Sequence, residues 1–218
     1  MVRAIKKSGG STKKIIVVDF NGALLQKRPF EEAHRKWFEL MAVLLRDESV
    51  KGYYQLADYF PKANELMRLY LGEVDERILT LFVRQTYSMI LIAEMRREDL
   101  VVEFADYLGK LKKEYSLALV TSAPELAVEP ILKKIGCSEL FDMVLKSPSE
   151  KQPDKKALLD CFVKEHGKPE YYIGAGDKDI ISCRKLGIKT VSVGWVMPAK
   201  IIGDFDVKKL GELGKIFV

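Results

Sequence analysis

The chain has 218 residues, of which 48% are hydrophobic and 31% are charged, a composition typical of a globular protein with a substantial buried core. Its net charge of +5 equals the number of basic residues among positions 3–14, so the rest of the chain is neutral overall and no nucleic-acid partner is expected. No apolar run reaches the ~18 residues of a membrane span and no apolar segment follows the basic start, so we expect a cytoplasmic protein without a membrane partner.

The first predicted feature is a flexible basic tail at residues 1–13. The first strand follows it, with the sequence KIIVVDF. Strands buried on both faces are short apolar or β-branched runs rather than alternating ones. On this criterion the sequence predicts five strands, at 14–20, 115–122, 141–147, 171–177 and 189–195.

Residues 28–98, between the first two predicted strands, show helical periodicity only. The amphipathic segments lie at 29–47, 53–72 and 74–95. Three helices without a strand cannot belong to the sheet. We therefore predict an inserted all-α cap at 28–98.

From residue 99 onward, predicted helices alternate with the remaining strands, and several of these helices end in glycine. Such alternation predicts an α/β fold with a Rossmann-like, doubly wound parallel sheet. The core domain would consist of residues 14–27 and 99–218. In this fold class the ligand site lies at the carboxyl ends of the strands.

Polar side chains stand at the ends of three predicted strands. The first strand ends in Asp19, the second in Thr121 and Ser122, and the fourth leads to Asp177 and Asp179. An aspartate at a strand end can accept a phosphoryl group, while a hydroxyl and a lysine hold phosphate oxygens and a second carboxylate anchors a metal. The set thus indicates phosphoryl chemistry.

This chemistry also requires a lysine. Lys151, in the sequence SEKQPDKKALL just before a predicted helix, is the first candidate, and Lys155 and Lys156 are the alternatives.

These motifs resemble those of the haloacid dehalogenase superfamily of phosphatases and related hydrolases. The four matching motifs are DFNGA from Asp19, LVTS ending at Ser122, KQPD from Lys151 and GAGDKD ending at Asp179. A helical insertion directly after the first motif also matches one of the family's cap classes. The resemblance implies a phosphatase that acts on a small phosphorylated metabolite through an aspartyl-phosphate, with Mg²⁺ as cofactor, in a monomer or homodimer.

The resemblance also implies individual roles. Asp19 would be the nucleophile and a metal ligand, Lys151 the phosphate-binding lysine, and Asn21 would offer its backbone carbonyl to the metal at the position of the family's general acid. Asp177 and Asp179 would complete the metal site. Substrate contacts are implied for Phe20, Gly22, Thr121 and Ser122.

Three positions depart from the family pattern. Asn21 replaces the acidic residue, and an amide cannot shuttle a proton. General acid catalysis is worth ~10²- to 10⁴-fold, so we expect alkyl phosphates to be hydrolysed less well than acyl or aryl phosphates. Ala23 replaces a threonine. Ala175 stands where the family has a metal-ligating aspartate, which predicts weaker metal binding.

Alternative interpretations remain open at this point. The protein can be a catalytically degenerate relative that binds a ligand or a partner, or a metal-independent 2-haloacid dehalogenase. In one alternative, Asn21 is present solely because an Asn-Gly pair favours a turn. In another, Thr121 and Ser122 simply cap the helix that begins near Pro124. His34 is interpreted as a helix surface residue.

Overall fold

The computed structural model describes residues 13–56, 59–198 and 200–217. Of the predicted basic tail, only Lys13 lies within these ranges, and its Nζ donates a hydrogen bond to the Lys112 carbonyl oxygen at 2.9 Å. The predicted flexibility of residues 1–12 lies outside the described residues.

The described residues form one parallel sheet. Its strands are β1 (Lys14–Val18), β2 (Tyr115–Pro124), β3 (Met143–Ser147), β4 (Tyr171–Gly174), β5 (Lys189–Val193) and β6 (Phe205–Val207). Their order across the sheet is β3-β2-β1-β4-β5-β6, and each neighbouring pair is parallel. The predicted doubly wound parallel sheet is confirmed.

Helices connect the strands. They are α1 (Arg28–Leu45), α2 (Tyr59–Leu71), α3 (Glu76–Glu94), α4 (Val102–Leu111), α5 (Glu125–Lys134), α6 (Lys155–His166) and α7 (Asp177–Lys185), with 3₁₀ turns at Glu48–Gln55, Arg97–Asp99 and Leu210–Lys215. None of the helices in the described ranges is long and apolar enough to cross a bilayer.

Both faces of the sheet are covered, which explains why its strands are continuous apolar runs. Val17 and Tyr172 belong to the cluster on one face, whereas Ile16, Val18 and Ile173 belong to the cluster on the other. Neighbouring residues of a strand point to opposite faces, so a strand buried on both sides needs apolar residues at every position.

The helical segment between β1 and β2 has a hydrophobic core of its own. Trp37, Phe38 and Met41 of α1 belong to one buried cluster with Leu66 of α2 and Leu79 of α3. The described residues of this segment form α-helices and 3₁₀ turns but no β-strand. Its behaviour as a separate cap remains a prediction.

The strand predicted at 171–177 ends at Gly174, and Asp177 instead begins α7. Two further elements differ from the sequence prediction. The short strand β6 pairs with β5 but was not predicted, because three residues are too few for a periodic signal. The helix predicted at 53–72 is instead divided into the end of the 3₁₀ turn Glu48–Gln55 and the helix α2, which begins at Tyr59.

Candidate active site

A cavity of about 870 Å³ lies between the carboxyl ends of the strands and the helices α1 to α3. Polar groups from the sheet side face aromatic and basic groups from the helical segment across this space. The sheet side contributes Asp19, Asn21, Thr121, Ser122, Lys155 and Asp179, and the helical segment contributes His34, Trp37, Tyr59, Arg84 and Tyr87.

Asp19 follows the last residue of β1 and is anchored to β4, because its backbone N–H donates to the Ile173 carbonyl oxygen at 2.9 Å. Its side chain is only 8% exposed. Oδ1 accepts a hydrogen bond from the Phe20 backbone N–H at 2.7 Å and lies 2.5 Å from Lys155 Nζ. Burial raises the pKa of Asp19 and Asp179 adds to this effect, although Lys155 opposes it.

Lys155 is the first residue of α6, whose N-cap Asp154 accepts a hydrogen bond from the Ala157 N–H at 3.0 Å. A buried lysine at a helix N-terminus is unfavourable, because desolvation and the helix dipole both oppose a positive charge there. Two carboxylates compensate for this, since Nζ lies 2.5 Å from Asp19 Oδ1 and 2.8 Å from Asp179 Oδ2. Burial would lower the pKa of Lys155, but these carboxylates raise it, so the side chain remains cationic.

Asp179 lies in the first turn of α7, where a negative charge interacts favourably with the helix dipole. Its Oδ2 accepts hydrogen bonds from Lys155 Nζ at 2.8 Å and from the Tyr172 hydroxyl at 3.1 Å. Glycines make room for this network: a Cβ on Gly176 would lie 2.6 Å from Asp179 Oδ2, and one on Gly174 would lie 2.6 Å from the Tyr172 hydroxyl oxygen. The burial of Tyr172, together with the two nearby carboxylates, raises the pKa of its phenol well above 10.0 and keeps it neutral.

The structure brings Lys155, rather than the first candidate Lys151, to Asp19, the predicted nucleophile. Lys151 is exposed in the loop before α6 and does not line the cavity. Lys156 lines the cavity but forms an ion pair with Asp160 at 2.8 Å. The N-cap Asp154 was the signal that could have selected Lys155, because it places this lysine where α6 meets the strand ends.

The Asn21-Gly22 pair forms a turn. Gly22 has a φ of +82°, its N–H donates to the Leu25 carbonyl oxygen at 2.9 Å, and the Leu25 N–H donates to the Phe20 carbonyl oxygen at 2.9 Å. Asn21 also lines the cavity, whereas Phe20 is fully buried and Gly22 does not line it. Phe20 and Gly22, for which substrate contacts were predicted, therefore do not line the cavity. The Gly22 N–H is already engaged by the Leu25 carbonyl oxygen.

Thr121 and Ser122 both line the cavity. Thr121 Oγ1 accepts a hydrogen bond from the Ala123 N–H at 3.1 Å, which leaves its own O–H group available as a donor. The N-cap of α5 is Pro124, and no side-chain hydrogen bond caps this helix. The two residues thus line the cavity, and neither hydroxyl caps α5.

Oxygen ligands for a metal are fewer than the sequence predicted. Asp177 lines the cavity, but its Oδ1 accepts a hydrogen bond from the Ile201 N–H at 2.9 Å, which directs the carboxylate to a neighbouring loop. Ala175 places a methyl group at the cavity wall. The described residues contain no cluster of three or more His, Cys, Asp or Glu side chains that could hold a metal ion. Asp19, Asp179 and the Asn21 carbonyl remain as oxygen donors.

His34 is not the surface residue that the sequence predicted. Its ring lies 4.3 Å from that of Tyr59 and 4.8 Å from that of Tyr87, centroid to centroid, and it lines the cavity. Burial lowers the pKa of His34 from 6.5 to about 4, so the imidazole is neutral at neutral pH.

Arg84 of α3 is a cavity residue that the sequence analysis missed. It is 3% exposed, and its Nη2 donates hydrogen bonds to the carbonyl oxygens of Ser122 at 3.2 Å and Ser147 at 3.4 Å. Burial lowers its pKa to about 10, which leaves the guanidinium charged at neutral pH. Its position in an amphipathic helix gave no sequence signal that distinguished it from other basic residues of the segment.

Solved structures share this fold. A predicted phosphatase from Clostridium acetobutylicum matches with a TM-score of 0.64 and 17% identity, over 94% of this chain and 98% of that one. A mutant of CbbY from Rhodobacter sphaeroides, in complex with xylulose-(1,5)bisphosphate, matches with a TM-score of 0.64 and 16% identity, over 93% and 97%. YfnB from Bacillus subtilis, a HAD-hydrolase bound to magnesium, matches with a TM-score of 0.60 and 15% identity, over 95% and 99%.

No curated protein sequence matches this chain. The family model for haloacid dehalogenase-like hydrolases matches residues 45–193, which is more than half of the chain. The matched range begins after the first motif, where Asn21 and Ala23 depart from the family pattern. On this match, and with the fold and motif order described above, the chain belongs to the family of haloacid dehalogenase-like hydrolases.

Proposed function

We propose that the protein is a phosphatase that hydrolyses a small phosphorylated metabolite through an aspartyl-phosphate on Asp19. The main support is the contact between the buried Asp19 carboxylate and Lys155, at the base of a cavity that can enclose a small molecule. Among the described residues that line this cavity, six are Lys or Arg and four are Asp. With the neutral His34, this excess of positive charge favours an anionic substrate.

The first half-reaction needs a carboxylate oxygen that is free to attack phosphorus. Asp19 Oδ1 is held by Lys155 and the Phe20 N–H, whereas Oδ2 accepts no hydrogen bond from the described residues. Attack by Oδ2 forms the new O–P bond as the bond between phosphorus and the ester oxygen breaks. Lys155 and the Thr121 hydroxyl are placed to stabilise the phosphoryl oxygens.

The leaving alcohol must gain a proton, and Asn21 cannot supply it. An aryl or acyl leaving group is stable as an anion, so its departure needs little acid assistance, whereas an alkoxide needs a great deal. We therefore propose that the natural substrate carries a good leaving group, or that turnover of alkyl esters is slow.

The second half-reaction returns Asp19 to its carboxylate form. A water molecule attacks the phosphorus of the aspartyl-phosphate, the Asp19–phosphorus bond breaks, and inorganic phosphate and a proton are released. A base at position 21 would accept this proton, but the amide of Asn21 cannot. We expect the aspartyl-phosphate to persist longer than it would with an aspartate at this position.

We propose Mg²⁺ as the cofactor, bound weakly. Asp19, Asp179 and the carbonyl oxygen of Asn21 are the oxygen donors of this chain, and Mg²⁺ commonly uses one or two protein carboxylates and retains several waters. This donor set fits the ion, but the methyl group of Ala175 and the diverted carboxylate of Asp177 reduce it. When bound, the ion would offset negative charge on the phosphoryl group.

The helical segment would act as a cap that selects the substrate. Its aromatic groups form the wall opposite Asp19, and enclosure by such a wall would exclude water from the reaction. CbbY, which shares the fold, binds a sugar bisphosphate. A small phosphorylated molecule is the substrate class that we propose for this chain, in a monomer or homodimer.

Hydrolysis of p-nitrophenyl phosphate tests the proposal, because its leaving group needs little acid assistance. The assay would compare wild type with Asp19→Asn, each with magnesium and with a chelator, and Asp177→Asn would serve as a folded control that changes a cavity carboxylate without removing its hydrogen-bond acceptor. We expect magnesium-dependent turnover that is lost in Asp19→Asn and retained in Asp177→Asn. Equal turnover by wild type and Asp19→Asn would refute the role of Asp19.

The second candidate is a degenerate relative that binds a phosphorylated ligand or a partner without turnover. The reduced oxygen donor set and the amide at position 21 favour it. Phosphate binding by a wild-type protein that shows no hydrolysis in the same assay would support this candidate over the phosphatase.

A further inference from the structure

Arg84 is a buried cation that lacks a described counter-charge. The residue is 3% exposed, and its Nη2 reaches only backbone carbonyl oxygens, those of Ser122 and Ser147. Its Nε is buried and has no hydrogen-bond partner. Glu125 influences the charge from nearby, but Arg84 forms no ion pair with any carboxylate in the described ranges. A buried charge without a partner is costly, so its retention at a cavity wall calls for an explanation.

The location of Arg84 separates it from the reacting phosphoryl group. The reacting phosphorus would be bonded to Asp19, directly after β1. Lys155 and Asp179 lie on the β4 side of it and the Thr121 hydroxyl of β2 on the other, which centres the proposed phosphoryl site on β1. The carbonyls that hold Arg84 belong to β2 and to the end of β3. In the order β3-β2-β1-β4, the two sites are about one and a half strand spacings apart, or about 7 Å.

We infer that Arg84 forms a second anion-binding subsite, so that the substrate carries a carboxylate or phosphate group in addition to the phosphoryl group that is transferred. This inference rests on the proposed phosphatase function and narrows its substrate class. A hydrogen bond of about 3 Å to Arg84 would leave about 4 Å between the transferred phosphorus and the second anionic oxygen of the ligand. A short linear or cyclic skeleton spans that distance.

The surroundings of Arg84 support an anion rather than an apolar group. Tyr59 and Tyr87 lie close enough to interact with its charge, and both line the cavity with it. No acidic side chain from the helical segment lines this cavity in the described residues. A guanidinium can bind a carboxylate or phosphate through two parallel hydrogen bonds, a geometry suited to its planar fork.

The probes that test this inference are phosphonates, which bind without being hydrolysed. Isothermal titration calorimetry would compare 4-phosphonobutyrate and 5-phosphonopentanoate with butylphosphonate and pentylphosphonate, so that each pair differs in the terminal carboxylate. We expect wild type to bind the carboxylate-bearing probe about 10- to 100-fold more tightly, the range of a charge-assisted hydrogen bond.

Variants assign the preference to Arg84. Arg84→Met should reduce the affinity ratio within each pair to about 1, and Arg84→Lys, which retains the charge without the fork, should give an intermediate ratio. Arg77→Met is the matched control, since Arg77 lies on the same helix, is exposed and pairs with Glu150 at 3.1 Å. Its ratio should equal that of wild type.

The outcomes separate the two proposals. If wild type binds both members of each pair equally, the phosphoryl site stands and the second subsite is refuted. If Arg84→Met changes both affinities by the same factor and the ratio persists, Arg84 only fastens the helical segment to the strand ends, and the inference is also overturned. If wild type binds no phosphonate, the phosphatase proposal itself fails and the subsite fails with it. The wild-type comparison needs no variant, so it remains decisive even if Arg84→Met does not fold.

Discussion

Lys155 Nζ lies 2.5 Å from Asp19 Oδ1 and 2.8 Å from Asp179 Oδ2, so one buried ammonium holds the carboxylates from two different elements of the fold. Asp19 follows β1 and Asp179 belongs to the first turn of α7, while Lys155 begins α6. The charge of this group sums to −1, which a further cation or the ligand's hydrogen-bond donors must accommodate. In the proposed phosphatase, this group of three residues would set both phosphate binding and metal affinity.

Replacement of Lys155 should impair turnover far more than replacement of Lys151. Lys155→Met removes a charged donor from the phosphoryl oxygens and leaves two buried carboxylates without their cation, so we expect kcat/KM for p-nitrophenyl phosphate to fall about 10²- to 10³-fold. Lys151→Met changes an exposed loop residue and should leave kcat/KM within about twofold of the wild-type value. Thermal unfolding of each variant would confirm that it folds. A large effect of Lys151→Met with a small one of Lys155→Met would reverse this assignment.

Asn21→Asp should restore a proton donor and acceptor beside Asp19. We expect kcat/KM for an alkyl ester such as glycerol phosphate to rise ~10²- to 10⁴-fold, with a smaller gain for p-nitrophenyl phosphate because its leaving group departs without help. Asn21→Ala is the control, since it retains the backbone carbonyl but adds no titratable group. Equal gains on both substrates would show that proton transfer is not what position 21 lacks.

Ala175→Asp should strengthen magnesium binding. The new carboxylate would enter the cavity wall beside Asp19 and Asp179 and add an oxygen ligand, so we expect the magnesium concentration for half-maximal activity to fall about 10-fold, equivalent to about 1.4 kcal/mol. Asp177→Asn should leave the magnesium dependence unchanged, because that carboxylate already accepts the Ile201 N–H. If Ala175→Asp did not bind magnesium more tightly than wild type, or if Asp177→Asn lost magnesium binding, the proposed set of metal ligands would be wrong.

His34 should make the folded protein less stable as the pH falls. Burial lowers its pKa from 6.5 to about 4, so between these values the unfolded chain binds a proton that the folded protein does not. The free energy of unfolding should therefore decrease by up to about 3 kcal/mol as the pH falls through this window. Paired carboxylates such as Asp204, whose pKa is lowered from 3.8, lose their contribution only at a lower pH.

Urea unfolding of wild type and His34→Gln across the same pH range measures this contribution. The slope of unfolding free energy against pH should be smaller in His34→Gln, whatever packing cost the substitution has at neutral pH. Identical slopes would show that His34 does not remain neutral in the folded state.

Much of the fold could be predicted because the local signals and the tertiary structure agree. The β-branched run before Asp19 and the hydroxyls near the carboxyl end of β2 placed several cavity residues at the correct edge of the sheet. The choice among Lys151, Lys155 and Lys156 could not be made so easily, since it depends on the residue at which α6 begins. Position within a lysine-rich stretch says little about which side chain is buried.

Other features depend on tertiary packing and could not be seen in the sequence. Arg84 gains its position because α3 packs near the ends of β2 and β3, which no local pattern encodes. His34 was interpreted as a surface residue, but its helix turns it toward Tyr59 and Tyr87. Both residues owe their positions to packing between elements that are far apart in the sequence, which is why the sequence analysis missed them.

The most direct test of the account is mass spectrometry of peptides from protein that has been rapidly quenched during turnover of p-nitrophenyl phosphate. The account predicts a phosphorylated peptide that contains Asp19, at higher occupancy in wild type than in Asn21→Asp, because the amide slows hydrolysis of the aspartyl-phosphate. The phosphorylated peptide should be absent from Asp19→Asn. Turnover without any phosphorylation of the Asp19 peptide, or phosphorylation that persists at this site in Asp19→Asn, would contradict the account.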